Sequence, residues 1–548
     1  MKRYLKIIPV IVLLAFWLIP ALNQAQGIEI PSGGSMVITG AASIEISNGS
    51  LINNGTYTKG SETFTLSGAT TPREISGTAL TDFNNLTISN TAGVSIAVNS
   101  KVTVSGTLTN SVGATGLVLK SNATGTGSLI SSTAAIAGTI ERHIVGGWGT
   151  ADAGWHSISS PVASQVISAF ETSGAGNSYD FYGWAENTNT WMNYKDAGFS
   201  LWNSGTTFNS GQGYLISYEA TQTGKSFAGN IQVADITATN QTYTAGAAQG
   251  FHLMGNPFSS ALIWNDGNWA LTNVAGTAKI WNESGKSYTD INASGIIPSA
   301  QGFMIQVSSG TNSITIPAVS RTHNGASYYK AGSGQQIKLL ASELDGASFQ
   351  EIQIILNENA TQNFDFDYDS RFLPGYAPQF YSVCENENLS TNSIPSITSE
   401  LVIPLGFVKN QADNYKIELK ESIDGQSIYL TDTKLQTIQK LNENPVYSFT
   451  SADNDMPDRF LLHFGVVGVG EQNDKDVLQT YVYDHQLYVI NQIGKAQLRI
   501  FDIQGRLIQT NFLNTDGMHN QVLNLPAGAY VMRLESAINS NTLKFILE

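Results

Sequence analysis

The sequence contains one cysteine, Cys384, among its 548 residues. A single cysteine excludes internal disulfides and any zinc site built from several cysteines. Charged residues make up only 13% of the chain, and the formal net charge is −15. No clustered basic stretch offsets this acidity, so we expect no nucleic-acid partner, because phosphate-backbone binding needs a concentrated positive face.

Motifs of the common enzyme classes are also missing. The seven histidines are scattered without an H-E-x-x-H pattern, and no G-x-S-x-G elbow, phosphate loop or dinucleotide fingerprint occurs. His156 and His252 recur at matching places of a duplicated segment, which favours structural roles. We therefore expect no enzymatic activity and no obligatory cofactor. A hydrolase with paired carboxylates is an alternative, because such pairing depends on spatial geometry.

Long apolar runs are absent downstream of the first residues. Residues 1–25 combine a basic start, an apolar segment over residues 7–20 and a small residue, Ala25, at the expected cleavage point. This pattern predicts a signal peptide and export. The alternative is an uncleaved anchor, but the apolar segment is shorter than the roughly 20 residues of a membrane-spanning helix.

The remaining sequence is rich in short apolar alternations separated by Gly, Ser, Thr and Asn, which predicts an all-β protein of several domains. Residues 26–142 repeat such segments, for example Val94-Ser-Ile-Ala-Val98 and Leu117-Val-Leu119. Two-residue hairpin signals are sparse, so the pattern favours a β-helix-like solenoid. A sandwich of regular hairpins is the alternative.

Aromatic residues become frequent after residue 142, and every tryptophan except Trp17 lies between Trp148 and Trp281. Indole rings on a β surface stack on sugar faces. Trp184, Trp191 and Trp202, in an Asn-rich setting, are therefore candidate ligand-binding residues. The alternative is that they fill a core.

Residues 143–330 contain two pairs of segments, and the two members of each pair are similar in sequence. One pair is Trp155-His-Ser-Ile-Ser-Ser-Pro-Val162 and Phe251-His-Leu-Met-Gly-Asn-Pro-Phe258. The other is Gly211-Gln-Gly-Tyr-Leu-Ile216 and Ala300-Gln-Gly-Phe-Met-Ile305. Since the order is the same in both halves, we predict a duplicated, aromatic-rich β-sandwich.

A further β-sandwich-like domain is predicted for residues 331–466, followed by a polar linker over residues 467–476. Asp365, Asp367 and Asp369 form a D-x-D-x-D pattern that could gather carboxylates around calcium. An EF-hand loop is excluded by its missing Gly and Glu. The alternative is a strand with all three Asp on one solvated face.

Residues 477–548 carry three motifs, Gln497-Leu-Arg-Ile-Phe-Asp-Ile-Gln-Gly-Arg-Leu-Ile508, Leu525-Pro-Ala-Gly-Ala-Tyr-Val-Met532 and Leu543-Lys-Phe-Ile-Leu547. In this pattern the segment resembles the type A C-terminal sorting domain of Bacteroidetes type IX secretion substrates. The resemblance implies an immunoglobulin-like sandwich of about seven strands. It also implies partners: the translocon, a sortase that removes the domain, and surface lipopolysaccharide as the attachment point.

Several residues have expected places in that domain. Leu498, Ile500 and Ile503 are able to face a core, and Gly505 fits a hairpin turn. Gly528 permits a backbone bend before Tyr530, and Lys544 occupies the family's near-terminal lysine position.

The combined expectation is an exported structural or adhesin-like protein on the outer cell surface or outside the cell. Its partners would include glycans or host matrix. The alternative from another class is a carbohydrate-binding protein.

Overall fold

The computed structural model describes residues 27–149, 154–246, 249–323, 335–346, 348–398, 401–466, 478–483, 485–491, 494–515, 517–537 and 540–547. The predicted signal peptide (1–25) and linker (467–476) lie outside the described residues. The all-β prediction is confirmed, because helical structure is confined to short turns. These are α1 (Phe199–Trp202) and the 3₁₀ turns Ala114–Gly116, Ile167–Phe170, Glu186–Thr188 and Ala318–Ser320. None of the helices described has the length and apolar character required to cross a membrane.

The chain divides into two compact units. The first contains the described residues up to 283 together with 289–323, and the second contains 284–288 and the described residues from 335 onward. The two units are described separately below.

The first part of unit 1 is a parallel β solenoid, as predicted. Its strands are β1 (Ile28–Ile30), β2 (Ser35–Val37), β3 (Ser43–Ser47), β4 (Leu51–Asn53), β5 (Thr56–Thr58), β6 (Thr63–Ser67), β7 (Arg73–Ser76), β8 (Leu80–Phe83), β9 (Asn85–Ile88), β10 (Val94–Ile96), β11 (Lys101–Val104), β12 (Leu108–Asn110), β13 (Leu117–Leu119), β14 (Ser121–Asn122), β15 (Gly125–Thr126), β16 (Ser128–Ser131) and β17 (Ala137–Ile144). They stack into parallel ladders, including β1-β4-β7-β10-β13-β17, β3-β6-β9-β12 and β8-β11-β16.

Alternating side chains explain why these short strands stack. Val94 and Ile96 are buried while Ser95 between them is only partly covered. In the next turn Leu117 and Leu119 lie beside Val94 and Ile96. Each strand thus places its apolar side inward on the neighbouring turn, and the solenoid obtains a continuous core from strands that mostly contain three to five residues.

The last solenoid strand also belongs to the following domain. β17 pairs in parallel with β13 and in antiparallel fashion with β22 (Gln222–Asn230). It therefore crosses the boundary that the sequence placed after residue 142, and solenoid and sandwich share one sheet.

The remainder of unit 1 contains two copies of one β arrangement. Its other strands are β18 (Trp155–Ile158), β19 (Tyr179–Ala185), β20 (Thr190–Asn193), β21 (Tyr214–Tyr218), β23 (Ile236–Thr242), β24 (Phe251–Gly255), β25 (Ala261–Ile263), β26 (Ala278–Asn282), β27 (Ser287–Ile291), β28 (Ile296–Ile297), β29 (Gly302–Gln306), β30 (Thr311–Ile316) and β31 (Arg321–Thr322). Copy 1 has the sheet β18-β21-β19-β20 with the pair β17/β22, and copy 2 has β24-β29-β26-β27 with the pair β23/β30. The strand order is the same, so the duplication is present in the fold.

The echoed sequence segments form the contact between the two copies. Ser159 N donates to Ala300 O at 3.0 Å, and the equivalent Gly255 N donates to Gly211 O at 2.9 Å. Because each contact recurs with the copies exchanged, an approximate two-fold axis relates them. A Cβ on Gly213 would lie 2.3 Å from Met254 O, so the glycine of the Gln-Gly motif is required by this close approach.

The first domain of unit 2 is one large sheet. Its strands are β32 (Gln336–Glu343), β33 (Phe349–Leu356), β34 (Ser370–Arg371), β35 (Gln379–Cys384), β36 (Glu387–Ile394), β37 (Val402–Val408), β38 (Asn414–Glu421), β39 (Gln426–Asp432), β40 (Thr437–Lys440), β41 (Val446–Thr450) and β42 (Phe460–Val466). They run in the order β40-β39-β42-β37-β35-β36-β33-β32-β38-β41, with β34 on β36. The sheet folds over on itself around a single core, and Tyr447 of β41 donates to Asp432 of β39 at 2.9 Å.

A buried ion pair lies beside that contact. Arg459 binds the Asp432 carboxylate through Nε at 2.9 Å and Nη2 at 2.6 Å. The two side chains are 3% and 0% exposed. The guanidinium also lies over the rings of Phe449 and Phe460. The two parallel hydrogen bonds compensate the guanidinium and the carboxylate for the hydration they lose on burial.

The C-terminal domain is a seven-stranded sandwich, as predicted. Its strands are β43 (Leu478–Tyr483), β44 (Gln486–Asn491), β45 (Ala496–Asp502), β46 (Leu507–Leu513), β47 (Gly517–Val522), β48 (Gly528–Ser536) and β49 (Ser540–Leu547). They form the sheets β43-β44-β47 and β46-β45-β48-β49. Leu498 and Ile500 are buried in the core between the sheets.

Candidate functional site

A polar cleft of about 670 Å³ lies in unit 1, where the end of the solenoid faces copy 2. Its solenoid side includes Lys101 and the small hairpin formed by β14 and β15. Its other side includes Glu283 and Ser299. The volume is in the range of ligand-binding pockets.

The lining of the cleft differs in charge from the chain as a whole. It contains two permanent cations, Lys101 and Arg142, and three histidines, His143, His156 and His323. Glu283 is the one carboxylate residue that lines it within the described part of the chain. In a protein with a formal net charge of −15, the lining thus holds two permanent cations against one carboxylate.

Arg142 is held inside the cleft wall. Its side chain belongs to β17, the residue is only 9% exposed, and Nη2 donates to Gln301 Oε1 at 3.0 Å. Its buried Nε has no hydrogen-bond partner. Burying a charged donor without a partner raises the free energy of the folded state. The Nε of this guanidinium can therefore still donate a hydrogen bond to an acceptor.

His156 connects the two copies at the cleft. Its Nε2 lies 2.7 Å from Val145 O, and its Nδ1 forms an ion pair with Glu283 Oε1. Both neighbours are acceptors, so the ring satisfies both only when both of its nitrogens carry protons. These two contacts fix the His156 ring at the cleft wall.

His323 attaches the end of copy 2 to the solenoid. Its ring nitrogens lie 2.7 Å from Thr103 Oγ1 and 2.8 Å from Ser128 Oγ. Burial, with a smaller contribution from Lys101, lowers the pKa of His323 to about 4. The ring is therefore neutral at pH 7 and suits two hydroxyl partners.

Acid is expected to destabilise unit 1 through His323. The unfolded chain, with a His pKa near about 6.5, binds a proton that the folded chain takes up only near pH 4. The free energy of unfolding should therefore fall as the pH drops from about 6.5 to 4, by about 3 kcal/mol from this residue. Urea unfolding monitored by tryptophan fluorescence reports on this unit, because all tryptophans after Trp17 lie within residues 148–281.

The substitution His323→Gln should remove much of that pH dependence. His463→Gln is the matched control, since burial also lowers the pKa of His463, to about 3, but this residue lies in unit 2. An unchanged acid slope in His323→Gln would show that the His323 interaction is not responsible.

Two of the three candidate tryptophans lie together. Trp184 and Trp191 face each other across β19 and β20 with ring centroids 5.1 Å apart. Trp184 Nε1 donates to Phe251 O at 2.7 Å, so its N–H is already bonded. Trp202 packs against Phe199 and closely over Gly183, on the other face of the sheet. All three are half-buried, and their role in ligand binding stays a prediction.

The three aspartates of the D-x-D-x-D pattern do not share one face. Residues 361–369 form turns, so the proposed strand alternative is wrong. Asp369 is buried, accepts from Asp365 N at 2.7 Å and Ser393 N at 2.6 Å, and burial raises its pKa to about 6. Asp367 is exposed. Within the described ranges no three His, Cys, Asp or Glu side chains are grouped for a metal ion, and calcium stays a prediction.

The residues singled out in the C-terminal domain have mixed outcomes. Gly505, with φ +80°, forms the turn after β45, where its N donates to Asp502 O at 3.0 Å. The prediction that Ile503 faces the core is wrong, because β45 ends at Asp502 and Ile503 lies in this turn, 74% exposed.

The second motif of this domain, at residues 525–532, contributes to its core. Gly528 begins β48 and pairs with Leu547. Tyr530 is buried, stacks on Phe545 with centroids 5.6 Å apart, and donates its hydroxyl to Pro526 O at 2.7 Å. Lys544 lies on β49 with an exposed side chain, so it is accessible to a partner.

Comparison with protein-family models decides what this domain is. Residues 484–548 match the model described as the secretion system C-terminal sorting domain. The chain carries a type IX sorting domain. This sorting domain supports export to the cell surface or the extracellular space. A second model, for a domain of unknown function, matches residues 267–464.

Other comparisons add little. No curated protein matches the chain. Among solved structures, the BSP domain of a biofilm-associated protein is 10% identical, covers 78% of this chain and 98% of its own, and has a TM-score of 0.17. PorZ, a surface component of the type IX secretion system of Porphyromonas gingivalis, is 9% identical, covers 62% and 65%, and has a TM-score of 0.12. Likenesses this low carry no argument about fold or function.

The cleft is not apparent from the sequence motifs. Its histidines and Glu283 are far apart in sequence and follow no known spacing. One sequence signal was available. A third pair of similar segments, Trp184-Ala-Glu186 and Trp281-Asn-Glu283, places a Glu at the same position in both copies.

Proposed function

We propose that this type IX substrate is an adhesin-like surface protein that binds its ligand in the polar cleft of unit 1. The cleft carries the proposal: it is a preformed, ligand-sized concavity with converging polar groups. The sorting domain belongs to unit 2, so the cleft is separate from the segment that directs export. In this proposal a sortase removes the sorting domain and the protein is attached to surface lipopolysaccharide.

A binding role suits the cleft better than a catalytic one. Glycoside hydrolysis requires two carboxyl groups that face the scissile bond. Among the described lining residues Glu283 is the single carboxylate residue, and it is paired with His156. The described lining offers hydrogen bonds and charge, without the second carboxyl group.

The test is binding of the full mature chain to an array of polysaccharides and matrix proteins, with and without calcium. Ala123→Trp places a bulky ring at the exposed tip of the hairpin that lines the cleft, and should abolish binding. Ala245→Trp makes the same change at an exposed position outside the lining, and should leave binding intact. Undiminished binding by Ala123→Trp would reject the cleft as the ligand site.

A second candidate is carbohydrate binding at the Trp184 and Trp191 pair. The observation in its favour is that both paired rings keep part of their surface exposed, which permits stacking on a sugar. Trp191→Ala separates the candidates on the same array, because it should affect binding only if this pair is the contact surface.

A further inference from the structure

The two copies in unit 1 contain equivalent His and Glu residues that meet across the two-fold axis. His156 and His252 occupy the same place, opposite Ile216 and Ile305 of the Gln-Gly strands. Glu186 follows β19 directly, and Glu283 follows β26 directly. His156 of copy 1 pairs with Glu283 of copy 2, and the charge of Glu186 of copy 1 acts on His252 of copy 2.

At one of these equivalent positions, Glu186, the carboxylate is buried. Glu186 is 2% exposed and accepts hydrogen bonds from Thr242 Oγ1 at 2.6 Å, Thr244 N at 2.6 Å, Thr244 Oγ1 at 3.1 Å and Gly250 N at 3.1 Å. Burial alone would raise the pKa of Glu186, but these bonds outweigh it and lower the pKa. The Glu186 carboxylate thus receives all of these hydrogen bonds from other residues of the protein.

At the other position the carboxylate is open. The side chain of Glu283 is 42% exposed, and within the described part of the chain it contacts His156. Glu283 lines the same cleft as Arg142 and Lys101. The equivalent carboxylate is therefore enclosed by the protein's own donors at Glu186 and accessible to solvent at Glu283.

We propose that the open position is a binding site for a carboxylated saccharide, with Arg142 and Lys101 as the groups that bind the carboxylate. Arg142 supplies a buried guanidinium whose Nε lacks a partner, and guanidinium groups bind carboxylates with two parallel hydrogen bonds. Amide and hydroxyl side chains, including Asn99, Asn122 and Thr124, line the same cleft and suit sugar hydroxyls. The inference rests on the proposed function and specifies its ligand class.

The test is calorimetric titration of the full mature chain with trigalacturonate and, as a neutral probe of the same length, galactotriose. We expect binding of trigalacturonate only, weakened by added salt. Arg142→Gln should lower the affinity about tenfold or more, the loss expected for a charge-assisted hydrogen bond. Lys101→Gln should lower it in the same direction, and it serves as a second variant if Arg142→Gln disturbs folding.

The matched control is Lys195→Gln, which removes a cation paired with Asp180 outside the cleft lining and should leave the affinity unchanged. Equal binding of both trisaccharides, binding of inorganic phosphate alone, or no binding of either trisaccharide would overturn the inference. Failure of the proposed function is distinguishable, because it would show as no effect of Ala123→Trp on any ligand of the array.

Discussion

Deletion of residues 478–548 is expected to leave the protein in the periplasm of its native host instead of outside the cell. The reason is that these residues form the whole seven-stranded sorting domain, which we propose the translocon recognises after passage through the inner membrane. Cell fractionation and protease treatment of intact cells measure the outcome. The surface-exposed fraction should fall to background.

The control for this deletion is a full-length variant with an altered but correctly folded sorting domain. Ile503→Ser changes an exposed turn residue and should be exported normally, since no core contact is lost. Surface display of the truncated protein at the level of the full chain would contradict the assignment of export to this domain.

Replacement of Arg459 by Ala is expected to destabilise the first domain of unit 2 by about 3–5 kcal/mol, because it leaves the Asp432 carboxylate buried without its cation. Asp432 is 0% exposed, so water cannot replace the guanidinium. Hydrogen-exchange mass spectrometry of peptides from β39 and β42 measures the change without interference from unit 1. The double variant Asp432→Leu/Arg459→Leu should recover part of the lost stability, since no buried charge remains.

Lys434→Ala provides the comparison for this ion pair. It removes the partially exposed pair of Lys434 with Asp455, whose side chains are 43% and 15% exposed, and should cost no more than about 1 kcal/mol. Similar small effects of Arg459→Ala and Lys434→Ala would show that burial does not determine the strength of the Asp432 pair.

Much of the fold was predictable because its causes are local. In the solenoid, alternation such as Val94-Ser95-Ile96 determines which side chains face inward, and the same pattern in each turn aligns the next strand. The duplication was predictable from the echoed motifs. Their role was not, because a sequence shows that Gly213 and Gly302 recur but not that each lies against the opposite copy.

The candidate site was harder to predict because it depends on long-range contacts. Arg142, His156 and Glu283 come together only after the last solenoid strand joins copy 1 and the two copies pair. No short sequence motif indicates that these residues come together. Turns also replaced predicted structure twice: at residues 361–369, where a strand was an alternative, and at Ile503, which was expected to face the core.

The sharing of β17 has a mechanical consequence. Domains joined by a flexible linker swing about a hinge, whereas here the solenoid and the sandwich are joined by a ladder running from Ala137 and Asn230 to Ile144 and Gln222. A tensile load along β17 must shear many hydrogen bonds at once instead of peeling them apart singly. A force applied to the solenoid would therefore pass directly into copy 1 through this shared sheet.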